Sequence, residues 1–167
     1  MRTWKCGAII VVLLLVNFGT AVAQSGRTKT ANLQVTAEVV ANCDVSKNDI
    51  AFGPYDPVAA NKSAPLDRID IISMQCTPGT SVKVELDNGQ NGSGAQRSMA
   101  GPSNSRLNYE ISQGNSHNQR FGSGSDAGTK VAGTTGRLGF WMHSRIFPGQ
   151  NVTVGSYRDT VLATVSY

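Results

Sequence analysis

The sequence lacks, after its first two dozen positions, any extended segment in which apolar residues recur with the helical period of 3.6. It contains 18 glycines and many asparagines and serines, which divide the chain into short pieces. The absence of helical periodicity excludes a helical bundle. Short pieces separated by turn residues favour an all-β fold.

Signals of catalysis and of cofactor binding are also missing. The chain has no G-x-S-x-G sequence, and His117 lies in a polar, glycine-flanked stretch where a solvated loop histidine is expected. The glycine-rich run from Gly122 to Lys130 lacks the spacing of a phosphate-binding loop, and no helical pattern follows it. We therefore expect no catalytic residue, no cofactor and no enzyme activity, and we expect His143 to pack at a strand end.

Charge of one sign is not concentrated anywhere. The chain carries 15 Lys and Arg residues against 11 Asp and Glu residues, and no basic cluster is interleaved with aromatic residues. Because proteins that bind nucleic acid present such a basic patch, we expect no nucleic-acid partner.

The one long apolar run lies at the N-terminus. Arg2 and Lys5 precede the apolar stretch Gly7 to Val16, and Ala21-Val22-Ala23 has the small residues of a cleavage site. A membrane anchor is disfavoured because about 20 apolar residues are needed to span a bilayer. We predict a signal peptide over residues 1–23 and an exported chain in which 13 basic and 11 acidic residues leave a net charge of +2.

Cysteine is scarce, and only Cys43 and Cys76 follow the predicted signal peptide. In an exported protein, two thiols 33 positions apart most simply form one disulfide, which should stabilise the fold by roughly 3 to 4 kcal/mol. A metal site is the weaker alternative, because His117 and His143 show no ligand spacing with either cysteine. We expect no metal.

Alternation of apolar and polar residues predicts a β-sandwich of short strands. Two glycine-rich tracts, Asn88–Ser105 and Gly122–Gly136, have too few apolar residues for a core and are predicted to be surface loops or flexible hairpin tips. Asp67 and Asp70 are expected in a turn next to Pro65. The predicted strands are Ile69–Cys76, Ser81–Asp87, Arg106–Ser112, Arg137–His143 and Tyr157–Tyr167, with shorter ones near Ile50–Phe52 and Asn151–Val154.

The two ends of the exported chain show an unusual complementarity. Ala31, Leu33, Val35 and Ala37 alternate with polar residues, as in a half-buried strand that begins well before the rest of the domain. The last predicted strand, Tyr157–Tyr167, has no later hairpin to pair with it, and an open strand edge favours association. The front segment of one copy could therefore pair with the last strand of another.

An ordered set of short motifs runs through essentially the whole exported chain. The motifs are V-x-A-N-C ending at Cys43, Phe52-Gly53 and Tyr55, I-S-M-Q-C-T ending at Thr77, V-E-L-D ending at Asp87, Arg97-Ser-Met99, Leu107-Asn-Tyr109, Phe121-Gly122, Pro148-Gly-Gln150, and G-S-Y-R-D-T-V ending at Val161. This set resembles the spore coat U domain family, which includes the pilins of archaic (Csu-type) chaperone-usher pili.

This resemblance implies an incomplete immunoglobulin-like β-sandwich that is completed by donor-strand exchange. The implied role is a structural subunit of a surface pilus, active in adhesion and biofilm formation, that passes from a periplasmic chaperone through an outer-membrane usher to identical or related pilin subunits. Residues 24–38 would then form a donor-strand extension and residues 39–167 the pilin domain. The expected donor residues are Ala31, Leu33, Val35 and Ala37, and the expected acceptor groove comprises Val161, Ala163, Val165 and Tyr167.

An alternative remains open from the alternation alone. The stretch from Ala31 to Val45 could be the ordinary first strand of a complete sandwich. In that case the chain would be a secreted spore-coat or matrix protein that folds on its own.

Overall fold

The computed structural model describes residues 26–167. The predicted signal peptide over residues 1–23 and the first two positions of the predicted extension lie outside the described residues. The compact body of the fold comprises residues 38–167. Residues 26–37 belong to a separate unit, in which every described residue is exposed and outside any strand.

The described part of the chain contains eight strands, two short 3-10 helices and no α-helix. This architecture confirms the prediction of an all-β, immunoglobulin-like sandwich. The strands are β1 (Cys43–Lys47), β2 (Leu66–Cys76), β3 (Ser81–Leu86), β4 (Arg97–Ala100), β5 (Arg106–Ser112), β6 (Gly128–Val131), β7 (Arg137–Ile146) and β8 (Ala163–Ser166), and the 3-10 helices are Pro102–Asn104 and Gly124–Asp126. Within residues 26–167, no helix is long and apolar enough to cross a membrane.

The strands form two sheets, and all the pairings between them are antiparallel. A five-stranded sheet has the order β1-β2-β7-β5-β4, and a three-stranded sheet has the order β6-β3-β8. Apolar side chains from both sheets form a single core cluster between them. Strand β8 therefore lies at one edge of the smaller sheet and pairs only with β3.

Alternation in the sequence correctly identified the inward faces of the central strands. Val82, Val84 and Leu86 are buried on β3, and the charged residues between them are partly exposed. On β5 the same holds for Leu107, Tyr109 and Ile111. Successive side chains of a strand point to opposite faces, so each apolar set packs against the facing sheet.

The predicted disulfide between Cys43 and Cys76 is present. It joins the first residue of β1 to the last residue of β2, and these two residues are also direct partners in the β1–β2 register. The same corner is held by Thr77, whose amide donates to the Asn42 carbonyl at 2.9 Å and whose hydroxyl donates to the Val40 carbonyl at 3.1 Å.

Several predicted boundaries were wrong. The stretch around Val39–Val45 becomes a strand only at Cys43, and within Tyr157–Tyr167 only Ala163–Ser166 forms a ladder, because β3 offers a continuous partner only there. No strand is present at Ile50–Phe52 or Asn151–Val154. Asp67 and Asp70 lie within β2 rather than in a turn, because β2 and β7 pair over their full length.

The two glycine-rich tracts are more ordered than predicted. The first contains β4, which pairs with β5, and the second contains β6, which pairs with β3. The apolar count missed β4 because its buried residues are polar: Arg97 is 0% exposed and Ser98 is 5% exposed. It missed β6 because two small residues, Gly128 and Ala132, occupy the buried positions there.

Arg97 connects the two sheets through its fully buried guanidinium. The guanidinium donates to the Asp87 carbonyl, at 2.9 Å from Nε and 2.6 Å from Nη2, and to the Phe121 carbonyl at 2.8 Å. Its Nη1 lies 2.7 Å from Oε1 of Glu110 on β5. Burial lowers the pKa of Arg97, and the Glu110 carboxylate opposes that shift, so the buried charge has a charged partner.

We expect Arg97→Met to lower the free energy of unfolding by about 3 to 5 kcal/mol, because the Glu110 carboxylate and two carbonyl groups lose their donor. Urea unfolding followed by circular dichroism measures the change. The matched control is Arg106→Met, which removes an exposed contact to Asn91 and should shift the value by less than about 0.5 kcal/mol. Equal losses in the two variants would contradict the structural role of Arg97.

Candidate functional site

An open cleft lies between the two sheets of the body. It consists of two adjoining parts, a first cleft of about 570 Å³ and a second cleft of about 720 Å³. Ile50, Phe52 and Met99 line both parts. The cleft lies between residues 47–58, here called the β1 wall, and residues 152–163, here called the β8 wall.

Core side chains form the floor of the open cleft. In the first cleft the floor includes Ile72, Leu86, Ile111 and Met142, which also belong to the central core cluster. Leu107 and Ile146 take the same position in the second cleft. The cleft is therefore an opening onto the hydrophobic core rather than a depression in the polar surface.

Exposed apolar residues mark the rims of the cleft. Val58 is 82% exposed and Val154 is 94% exposed, and both line the second cleft. Leu162, which lies between two residues that line the first cleft, is 64% exposed. Contiguous apolar surface of this kind is typical of an association site.

The β8 wall is held by the carboxylate of Asp159. Its Oδ1 accepts hydrogen bonds from the amides of Gln90 at 3.0 Å and Asn91 at 3.1 Å, and its Oδ2 accepts from the hydroxyl of Tyr109 at 2.8 Å. Burial, together with the Asp159 carboxylate, raises the pKa of Tyr109, so this hydroxyl remains a donor. Gly89, at φ +76°, passes so close that an added Cβ would lie 2.0 Å from Oδ2 of Asp159.

A second aspartate fixes the next part of the same wall. Oδ1 of Asp87 accepts from the amide of Leu162 at 2.9 Å, and the amide of Asp87 donates to the Leu162 carbonyl at 3.1 Å. The Asp87 carbonyl is in turn an acceptor for Arg97. The β8 wall is therefore kept extended by side chains and by one neighbouring strand.

Tyr55 and Gln150 order the second cleft. The Tyr55 hydroxyl donates to the Phe147 carbonyl at 2.9 Å and accepts from the Gln150 amide at 3.0 Å. The Gln150 side chain bonds both backbone groups of Asn108, at 2.7 and 2.9 Å. These contacts connect the β1 wall to the turn before the β8 wall and to β5.

The residues predicted to form the acceptor groove differ in position. Val161 and Ala163 line the first cleft. Val165 is partly buried against the core and is paired with Val84, whereas Tyr167 is 56% exposed and lines neither part of the cleft. The predicted donor residues Ala31, Leu33, Val35 and Ala37 are all exposed, with Leu33 at 88% and Val35 at 86%.

Sequence reasoning missed the β1 wall and the polar residues that position the β8 wall. The β1 wall after Lys47 is irregular, so it carries no periodic signal. Tyr55, Gln150 and Asp159 all occur in the short motifs of the family resemblance, and that was the available signal for them.

Ser112, His117 and Asp67 are the residue types of a catalytic triad, but their contacts are those of a buried hydrogen-bond network that supports the fold. Oγ of Ser112 lies 2.8 Å from Nδ1 of His117, whose Nε2 lies 3.9 Å from Asp67. Ser112 is 0% exposed, and its hydroxyl donates to the His143 carbonyl at 2.9 Å, so it is neither accessible nor free as a nucleophile. His117 is thus largely buried rather than solvated, and burial lowers its pKa.

Arg145 occupies the remaining side of this cluster. It donates to both oxygens of Asp67 at 2.7 Å, which lowers the pKa of Asp67. Among residues 26–167, no group of three or more His, Cys, Asp and Glu side chains could hold a metal ion.

Comparisons with known proteins agree on one family and one fold. The model of the Spore Coat Protein U domain matches residues 29–164. Protein U of Myxococcus xanthus is 30% identical over 173 residues, and the alignment covers 96% of this chain and 95% of that protein.

A solved structure with a similar fold is the CsuC–CsuE chaperone-tip adhesion subunit pre-assembly complex from the archaic chaperone-usher Csu pili of Acinetobacter baumannii. The TM-score is 0.56 and the sequence identity 25%. The match covers 77% of this chain but only 40% of that one, so this chain spans less than half the length of its structural neighbour.

We expect Asp159→Ala to loosen the β8 wall. The substitution removes the shared acceptor of Tyr109, Gln90 and Asn91, and each hydrogen bond to a charged group contributes about 1.5 to 3 kcal/mol. Hydrogen exchange should become faster by at least about tenfold for the amides of Gln90, Asn91 and Leu162, since 1.4 kcal/mol corresponds to a factor of ten. Asp44→Ala, at an exposed position of β1, is the control and should leave these rates unchanged.

Proposed function

The chain belongs to the Spore Coat Protein U domain family, and from this membership we propose that it is a structural subunit of a surface pilus that polymerises by donor-strand exchange. The observation that carries the proposal is the open cleft. Core side chains line it, and no strand of residues 38–167 pairs with the free edge of β8 beside it. A second copy can supply the strand that the body lacks.

The N-terminal extension, defined here as residues 26–38, has the properties of such a strand. Its apolar residues occupy alternate positions, so one face of an extended chain is apolar and the other polar. At roughly 3.3 Å per residue, 13 residues extend about 43 Å, enough to run along a sandwich. Strand addition of this kind obtains affinity from main-chain hydrogen bonds and specificity from alternate side chains.

Burial of the extension favours a slowly dissociating junction. Moving Leu33 and Val35 from water into the cleft contributes about 1.5 to 3 kcal/mol each. Each new main-chain hydrogen bond adds about 0.5 to 1.5 kcal/mol. Several such terms together support a junction that persists in detergent at room temperature.

The proposed partners follow the same mechanism. A periplasmic chaperone would first cover the cleft, an outer-membrane usher would catalyse its replacement, and the extension of the next identical or related subunit would then occupy it. The product is a homopolymeric fibre exported through the periplasm to the cell surface, with roles in adhesion and biofilm formation. The structural neighbour is itself a complex of a chaperone with a tip adhesion subunit, which supports the chaperone step.

A second candidate is a secreted spore-coat or matrix protein that folds on its own. It is favoured by the similarity to Protein U, which extends over nearly the full length of both chains. The two functions differ in whether the isolated body is complete.

Removal of residues 24–38 separates the two candidates. For a pilus subunit, we expect the body that begins at Val39 to aggregate within hours, because no extension is left to cover the free edge of β8 and the exposed rim residues Val58, Val154 and Leu162. Size-exclusion chromatography of the truncated and full-length proteins measures this difference. A truncated body that stays monomeric and unfolds at the same temperature as the full-length chain would favour the coat protein.

We expect Leu33→Asp to abolish polymerisation, because joining would bury an unpaired carboxylate. The full-length protein from the cells that produce it is run on a denaturing gel without heating, where donor-strand polymers appear as a ladder that boiling collapses to one band. The matched control, Gln34→Asp, places the same charge on the polar face and should keep the ladder. A ladder from Leu33→Asp as strong as the wild-type ladder would refute the donor assignment.

A further inference from the structure

We propose that an ion pair between subunits sets the register of joining: Glu38 of one copy lies opposite Arg158 of the next, with the extension antiparallel to β8. Leu33 then lies over Ala163. This inference rests on the proposed function and adds to it the direction, the register and the residues that determine both.

Charges at the two ends of the open cleft indicate the direction. The first cleft is lined by Asp49, Asp159 and one base, Lys47, which is ion-paired with Asp49. The second cleft is lined by Arg158 and by no acidic residue. The Asp159 carboxylate is already bonded to Gln90, Asn91 and Tyr109, so Arg158 is the charged lining residue of the cleft that has no such bond within residues 26–167.

The extension carries one acidic residue, Glu38, and it lies at the end of the extension. This acidic end matches Arg158 of the second cleft. Because the β8 wall runs from the second cleft towards the first, this placement makes the extension antiparallel to β8.

The pairing of β8 with β3 determines which backbone groups remain available. Thr164 and Ser166 are paired with Glu85 and Lys83, and the Leu162 carbonyl accepts from Asp87. The even-numbered residues Leu162, Thr164 and Ser166 therefore direct their amides and carbonyls towards β3. In an extended strand the alternate residues direct theirs to the opposite side, so Val161, Ala163 and Val165 present theirs at the open edge.

This arrangement requires odd-numbered residues of the extension to lie opposite odd-numbered residues of β8. Residues that exchange hydrogen bonds in an antiparallel pair lie directly opposite and share one face of the sheet. Val161 and Val165 pack against the core, so the residues opposite them face the core as well. The apolar residues of the extension from Ala31 to Ala37 are odd-numbered. They can therefore lie opposite the odd-numbered residues of β8 and face the core.

The pairing of odd-numbered with odd-numbered residues still allows several registers, which differ by steps of two residues. Only one of these registers places Glu38 opposite Arg158. Glu38 and Arg158 are both exposed, and neither forms an ion pair within residues 26–167. Placing them opposite each other puts Val35 against Val161, Leu33 against Ala163 and Ala31 against Val165. A shift of two residues moves Glu38 to Ser156 or Thr160.

The same register gives the best match of side-chain size. Leu33 is the largest apolar residue of the extension and meets Ala163, the smallest apolar residue of the β8 wall that lines the first cleft. Ala31, a small residue, meets the larger Val165. A shift of two residues would place Leu33 against a valine, where the extra methyl groups compete for the same space.

Cysteine pairs on the outer face test the register directly. Gln34 would lie opposite Leu162 in a non-hydrogen-bonded pair, where Cα atoms are about 4.5 Å apart and a disulfide can form. We expect full-length Gln34→Cys/Leu162→Cys polymers, oxidised in air, to keep their ladder after boiling without reductant. The matched controls are Gln34→Cys/Thr160→Cys and Gln34→Cys/Thr164→Cys, which report the registers shifted by two residues and should collapse to monomer.

The other outcomes of the cross-linking experiment would contradict different parts of the proposal. A boiling-resistant ladder from either shifted pair, and not from Gln34→Cys/Leu162→Cys, overturns the register and leaves the proposed function intact. If no pair cross-links while the wild type still shows a heat-sensitive ladder, the antiparallel direction is wrong. If the wild type shows no ladder at all, the proposed function and this inference both fail.

A charge exchange tests the role of the two residues. Glu38→Arg and Arg158→Glu should each slow assembly of the full-length chain roughly threefold to tenfold, because like charges would meet at the junction. Glu38→Arg/Arg158→Glu should restore the wild-type rate, and at 1 M salt, where screening is strong, the single variants should no longer differ from the wild type. A double variant as slow as the product of the single effects would overturn the pairing.

Discussion

Coverage of the hydrophobic core beside β8 is the constraint on which the rest of the structure depends. A β-sandwich is stable because each sheet hides the apolar face of the other. Here the smaller sheet ends at β8, and the floor of the cleft next to it consists of core residues such as Ile72, Ile111 and Met142. That floor is already buried, at 1 to 5% exposed, so an added strand would instead cover the free edge of β8 and the exposed rim residues Val58, Val154 and Leu162.

The body remains ordered around this opening because polar contacts replace a missing neighbour. A β-strand with one neighbour has half of its main-chain groups unpaired and would ordinarily fray. Asp87, which follows β3, binds Leu162 of the β8 wall, and Asp159 of that wall binds Tyr109 of β5. Arg97 fixes Asp87 from within the core. The cleft is consequently a preformed site, and an incoming strand need not pay for ordering its receptor.

Sequence patterns predicted strands correctly where buried and exposed residues alternate with a period of two. Strands β3 and β5 have one face in the core, so their alternation was read correctly. Strand β4 was missed because its buried residues, Arg97 and Ser98, are polar. Burial of the Arg97 charge depends on partners from three segments that are distant in the sequence. The β1 wall was missed because it is irregular. Alternation also overestimated the last strand, since it reports which face is buried and not whether an edge has a partner.

The junction between the extension and the body decides how closely successive subunits of the proposed fibre are joined. Thr77 holds the Val40 and Asn42 carbonyls, and the disulfide fixes Cys43 beside them. With Glu38 bound at Arg158 of the next copy, Val39 alone separates the two fixed points. Glu38 and Val40 are two residue steps apart, about 6.6 Å in an extended chain, so in the proposed fibre the two bodies would lie in contact. Tension along such a fibre enters each body at the Cys43–Cys76 pair, the point where β1 would otherwise begin to peel from β2, and the disulfide passes it directly to the second strand of the larger sheet.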